Sequence, residues 1–464
     1  MPSCSRLGAV LLLAAVPVFA APPVFAAPPV RAQSAAEPSP AASAAADAAP
    51  AALSQDALRK AVAAVAQRIQ DHYYDLQRGR ELADALRSES ERGAFDRYRD
   101  PRDLASALSE RIKPHDGHFR VNWRAPGAAA PLAGPRLRPA PDAAAIDYAR
   151  RRNHGLRRVE LLPGNLGYLD LREFAQIDFD DPQAPARRAL DAALAFLADC
   201  DALIVDLRDN GGGAPSSVGY LASAFVAPGG DIYNRFRWRD GDTVRSSSEA
   251  PKIAYPAPRT DLPLYVLTSS RTASAAEAFA YTLRNVDRAT VVGETSAGAA
   301  NPGGERDAGG GFSVFVADGS PVSPVTGRNW EGSGVAPDVR VPQHEALRTA
   351  QALALEAVLA RGLPGANAED ARWALDALRA PASPAQTDPA YLGDYGRIRI
   401  ERDQARLALR NGKRPPQPLT RLQSDLYYLG DDPSVRVRFE RDRDGRVAAL
   451  QLQRPDGSAQ RYAR

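Results

Sequence analysis

Lysine is nearly missing from this 464-residue chain: Lys60, Lys113, Lys252 and Lys413 are the four present, so almost all of its 59 basic residues are arginine. None lies between Lys252 and Lys413, which excludes a lysine from that whole interval. Cysteine is equally scarce. Cys4 lies at the extreme N-terminus and Cys200 ends an apolar helical pattern, which excludes a disulfide framework and a thiolate zinc centre. After the first twenty residues no run is long and apolar enough to span a bilayer. Acidic and basic residues interleave to a formal charge of +3, which gives no footprint for nucleic acid.

What is present divides the chain into segments. Arg6 precedes an apolar run from Leu7 to Phe19 with small-residue exits at Ala20, Ala26 and Ala32. This predicts a secretory signal over residues 1–32, hence an exported, periplasmic or extracellular protein that inserts in no membrane once the signal is removed. Residues 33–54 form an Ala/Pro/Ser linker with no pattern to bury. Leu58, Val62, Val65 and Ile69, then Leu82 and Leu86, then Leu104, Leu108 and Ile112 repeat at helical spacing, predicting a helical N-terminal domain over 55–124. Residues 125–345 alternate continuous apolar strands with amphipathic helices, as an α/β core covered on at least one face would. A helical connector (346–384) and a β-rich C-terminal module (385–464) follow, the latter with hairpin turns at Asp444-Gly445 and Asp456-Gly457.

Three motifs can carry chemistry. Asp206-Leu-Arg-Asp-Asn-Gly211-Gly212-Gly213 ends a buried strand, where open α/β sheets hold ligands and where glycines let backbone amides approach a substrate oxygen. It lacks the lysine of a phosphate loop, and a tight turn is the plainer alternative. Ser274 stands where an apolar strand turns into a helix whose first amides suit an oxyanion. Ser274-Ala-Ala-Glu277 also matches a capping box, in which the hydroxyl merely caps the helix unless Thr272 does so. Among five histidines, His115-Asp116-Gly117-His118 is the densest cluster. No third ligand with metal spacing is evident, so no metal or other cofactor is expected; a neutral imidazole accepting a serine proton fits better. An orienting acid is sought at Glu331 or Asp338, between which spacing does not choose.

These residues carry a resemblance. Gly164-Asn-Leu-Gly-Tyr168, the Asp206–Gly213 motif, Thr272-Ala-Ser-Ala-Ala-Glu-Ala-Phe279, Val291-Val-Gly-Glu-Thr-Ser-Ala-Gly298 and Trp330-Glu-Gly-Ser-Gly-Val-Ala-Pro-Asp338 occur in order. Together they resemble the serine peptidases that include the tail-specific (carboxyl-terminal processing) proteases, the tricorn core protease and the interphotoreceptor retinoid-binding repeats. The resemblance implies a ClpP/crotonase-like core behind the helical domain, and peptide or unfolded-protein substrates. Ala299 stands where the tail-specific branch has its lysine, so the chain is more similar to the histidine-using branch. That implies Ser274 as nucleophile, His118 as general base and Glu331 as orienting acid, with oxyanion donors at Ala275 and in Gly211-Gly212. Gly117 stands where the tricorn core has a serine, which implies a triad. Residues 124–157 are too short and too rich in proline and alanine for a tail-binding domain. The alternative on the same fold is a non-catalytic protein binding apolar ligands or peptides.

Overall fold

A computed structural model describes residues 50–125, 143–380, 389–404 and 406–464. The expected signal, 1–32, and most of the linker lie outside them. The chain divides into Met1–Pro50 and a second unit, Ala51–Arg464, to which everything below belongs. Three helices open it: α1 (Gln55–His72), α2 (Leu76–Glu91) and α3 (Pro101–Ile112). Each begins at an oxygen-bearing cap, Ser54, Asp75 or Asp100, that accepts a first-turn amide. Their expected apolar stripes are buried. Strand β1 (Arg120–Trp123) leaves this bundle.

Helix α4 (Ala143–Arg151) leads to β2 (Leu156–Leu162), β3 (Leu166–Leu171), α5 (Pro185–Phe196), β4 (Ala202–Asp206), α6 (Pro215–Ser223), β5 (Arg235–Asp240) and β6 (Thr243–Ser248). Then come β7 (Leu264–Thr268), α7 (Ala275–Arg284), β8 (Thr290–Gly293), β9 (Gly303–Gly309), β10 (Phe312–Ala317), β11 (Gly319–Val322), β12 (Val339–Arg340), α8 (Gln343–Ala360) and α9 (Gly365–Arg379). The central sheet runs β12-β8-β7-β4-β3-β2, parallel except for β2 at its edge. Alternate residues explain why its strands read as unbroken apolar runs. Leu203, Val205, Leu264, Val266 and Val291 pack towards α6 and α7, while Ala202, Ile204, Tyr265, Leu267 and Val292 pack towards α8 and α9. Both faces are covered.

Residues 311–319 look like an edge hairpin in the sequence, but β10 is a middle strand, between β1 and β9. Phe312, Val314 and Val316 alternate inward and share the core of the N-terminal helices. Strand β11 joins a separate sheet with β5 and β6. The C-terminal segment is all β as expected. Its eight strands, from Gly393–Tyr395 to Ala459–Ala463, pair with their sequence neighbours in antiparallel order around their own core. No helix among the described residues is long and apolar enough to cross a membrane.

Candidate active site

The parallel neighbours β4 and β7 end side by side, and the loops leaving them build the first half of the site. Ser274, the residue before α7, has φ 55° and ψ −120°, a conformation disfavoured for any residue with a side chain. Its surroundings impose it. The Ser274 amide donates to Glu277 Oε2 (2.8 Å), and the Ala273 amide to the Asn210 carbonyl (3.1 Å). Ser274 and Glu277 have the arrangement of a capping box, the Ser274 side chain facing the Glu277 backbone and the Glu277 carboxylate accepting the Ser274 amide. Thr272 is not a substitute cap: its hydroxyl accepts from the Ser269 amide (2.9 Å) and donates to the Leu207 carbonyl (2.8 Å), tying this loop to the end of β4.

The glycine motif lies against this turn. A Cβ on Gly212, at φ 117°, would sit 2.7 Å from Ser274 Cβ, so a bare backbone is needed for the two loops to touch. The Gly212 amide donates to Asn210 Oδ1 (2.8 Å) and is committed. Of the three expected oxyanion donors, the amides of exposed Gly211 and of Ala275 are the two without a hydrogen bond among the described residues.

The other half of the site comes from the turn after α3. His118 Nδ1 donates to Glu331 Oε1 at 2.9 Å, joining residues 213 positions apart, and lies 3.4 Å from Asp116 Oδ1. Nε2 is left as the nitrogen available to a substrate or a serine. The ring stacks on Phe315, centroids 5.8 Å apart. Both acids are held from behind. Glu331 Oε2 accepts the amides of Ala300 (2.8 Å) and Asn301 (2.9 Å), and Asp116 Oδ2 accepts Asn301 Nδ2 (3.0 Å) and Tyr73 OH (3.3 Å). Asn301 thus touches both.

Residues 298–301 bridge the two halves. The Gly298 and Ala299 amides donate to Glu277 (2.6 and 2.9 Å), which also holds Ser274, and the next two amides donate to Glu331, which holds His118. The described residues contain no direct hydrogen bond between Ser274 Oγ and His118; such contacts often tighten only around bound substrate. Asp116, Asn301 and Glu277 are the residues that sequence reasoning missed as site components. Asp116 reads as a turn former, Asn301 gives no signal of its own, and Glu277 reads only as a capping partner.

The remaining candidates lie outside this cluster. Asp338 joins Arg284 Nε (2.8 Å) and the Val291 amide (2.8 Å), fastening β12 to the sheet. Both ring nitrogens of His115 face guanidinium groups, Arg111 at 3.3 Å and Arg78 at 3.5 Å. Burial and those cations lower its pKa.

Electrostatics separate the two histidines further. Burial alone would lower the pKa of His118, but hydrogen bonds and charges from Asp116 and Glu331 outweigh it and push the value up to about 9. The Asp116 carboxyl is lowered despite its burial, through His118 and Asn301. Glu277 is raised by burial, against its hydrogen bonds.

A family model described as peptidase family S41 matches residues 165–341. The chain is 29% identical over 189 residues to carboxyl-terminal-processing peptidase 1, chloroplastic, of Arabidopsis thaliana, covering 40% of this chain and 36% of that one. It is 29% identical over 192 residues to a carboxy-terminal-processing protease of Bartonella bacilliformis, covering 40% of each. The match thus spans well under half the length of these curated relatives. Among solved structures, the photosystem II D1 C-terminal processing protease superposes with a TM-score of 0.39 at 17% identity, over 65% of this chain and 98% of that one.

Proposed function

The chain belongs to the tail-specific protease family through its peptidase family S41 segment at residues 165–341, and we propose that it is an exported serine endopeptidase that forms an acyl-enzyme on Ser274. The observation that carries this reading is the Ser274 turn itself. A non-glycine residue held at φ 55°, ψ −120° on a strand-to-helix turn is the strained arrangement that presents a nucleophile.

Ser274 Oγ attacks the carbonyl carbon of the scissile peptide bond while His118 Nε2 takes its proton. The oxyanion of the tetrahedral intermediate is received by the Ala275 and Gly211 amides. The imidazolium then gives its proton to the leaving amine, and a water activated by the same nitrogen releases the acyl group. Glu331 holds Nδ1–H and balances the charge that His118 acquires, with Asp116 beside it. Ala299 leaves no lysine at the position beside Glu277, so the base is histidine in this reading. The core is taken to be ClpP/crotonase-like, and the substrate an extended peptide or unfolded protein reached after export through residues 1–32. Purified protein should cleave an unfolded polypeptide, and Ser274→Ala should lower that turnover by about 10⁶-fold. Saturable peptide binding without turnover in the unmodified protein would instead support the non-catalytic binder.

A further inference from the structure

The acids around His118 have a second chemical capacity. His118 Nδ1 has Glu331 Oε1 at 2.9 Å and Asp116 Oδ1 at 3.4 Å, and the three atoms lie within 4.8 Å of one another. A tetrahedral zinc ion with ligand bonds of about 2.0–2.2 Å separates its ligands by about 3.3 Å, so one nitrogen and two oxygens already stand near the corners such an ion requires. His115 lies outside this group; His118 is joined instead by Asp116 and by Glu331, 213 residues away.

The outer oxygens strengthen the case. Glu331 Oε2 is fixed by two backbone amides and Asp116 Oδ2 by Asn301 and Tyr73; Glu331 Oε1 faces Nδ1, and Asp116 Oδ1 accepts the His118 amide (2.9 Å) while lying 3.4 Å from Nδ1. Metal sites use this kind of outer hydrogen bonding to aim their ligands. A cavity of about 420 Å³ lined by Gly117, His118, Phe119 and Phe315 among others opens beside the histidine.

We propose that Asp116, His118 and Glu331 form a zinc-binding site whose occupancy switches the base off. Zinc takes the Nδ1 lone pair and releases one proton to solvent from an imidazolium. The remaining ring proton then sits on Nε2, the atom that must offer a lone pair to Ser274. Binding itself requires no peptidase activity, while its inhibitory effect rests on the reading of His118 as base.

Cobalt(II), a spectroscopic stand-in, is titrated into the Ser274→Ala variant. One equivalent should bind with the visible bands of four-coordinate cobalt, and zinc should displace it. His118→Ala should abolish the signal, and Asn301→Ala should weaken binding by about 10–100-fold with the fold intact by circular dichroism. Absence of a four-coordinate signal in Ser274→Ala, or undiminished binding in both other variants, would overturn the site. In unmodified protein, zinc should suppress turnover and a chelator should restore it; binding with turnover unaffected would overturn the switch. The Ser274→Ala titration decides the zinc site even if the peptidase reading fails.

Discussion

A histidine set between two carboxylates holds its proton tightly, and that fixes how the site must respond to pH. With His118 pushed up to about 9, its base form is the minor species at neutral pH. In chelator-treated protein, kcat/KM should therefore climb with pH and level off only above about 9, rather than near the ordinary histidine value. Glu331→Gln removes one of the two acids. It should move that limb to lower pH and reduce the plateau by about 10²–10⁴-fold, read from pH–rate profiles of both proteins. Stability should move the opposite way. Because the folded pKa lies above the unfolded value, the contribution of His118 is complete below about pH 6.5 and is lost as pH rises through about 9. Urea unfolding across that window measures it, and in His118→Ala the pH dependence should flatten.

Between the elements, Glu277 is the fastener. On the first turn of α7 it accepts from Ser274, Ser296, Gly298 and Ala299, tying the nucleophile turn to the loop after β8. Glu277→Ala would leave those donors without their acceptor in a buried place, costing about 3 kcal/mol or more in chemical denaturation, along with the geometry of Ser274. Gly213 has a similar role beside β3: at φ 140°, an added Cβ would lie 2.1 Å from the Phe174 carbonyl oxygen. Gly213→Ala should cost about 1–3 kcal/mol in the same assay. The sequence made much of this legible. Strands β4 and β7 announce themselves as unbroken apolar runs, and Ser274 as a residue between strand and helix. Local patterns stop there. That Asp116 meets Asn301, 185 positions later, follows from β1 pairing with β10, and a period-two pattern does not name a strand's partner. The same limit explains why β10 resembled an edge. The pairing of His118 with Glu331 was readable only through the resemblance, since spacing left Glu331 and Asp338 equivalent.

For the whole molecule, the proposed nucleophile and base ride on different hydrophobic clusters. Ala275, beside Ser274, belongs to the layer between the central sheet and α6 and α7, whereas Phe119, beside His118, belongs to the bundle shared by α1–α3 and β10. Leu108→Ala, a cavity in the second cluster far along the chain from Ser274, should cost about 2–5 kcal/mol of stability. It should also lower turnover by displacing the base, checked by comparing thermal unfolding with peptide cleavage well below the transition. The C-terminal module packs around its own core and meets α9 where Arg436 stacks on Trp373 (4.2 Å) and pairs with Asp376 (2.7 Å); it supplies none of the site residues named above. Acylation of Ser274 driven by His118 is decided by peptide mapping after reaction with a fluorophosphonate. One adduct is expected, on Ser274, absent from Ser274→Ala and strongly slowed in His118→Ala. An adduct on another residue, or undiminished labelling of Ser274→Ala, would contradict it.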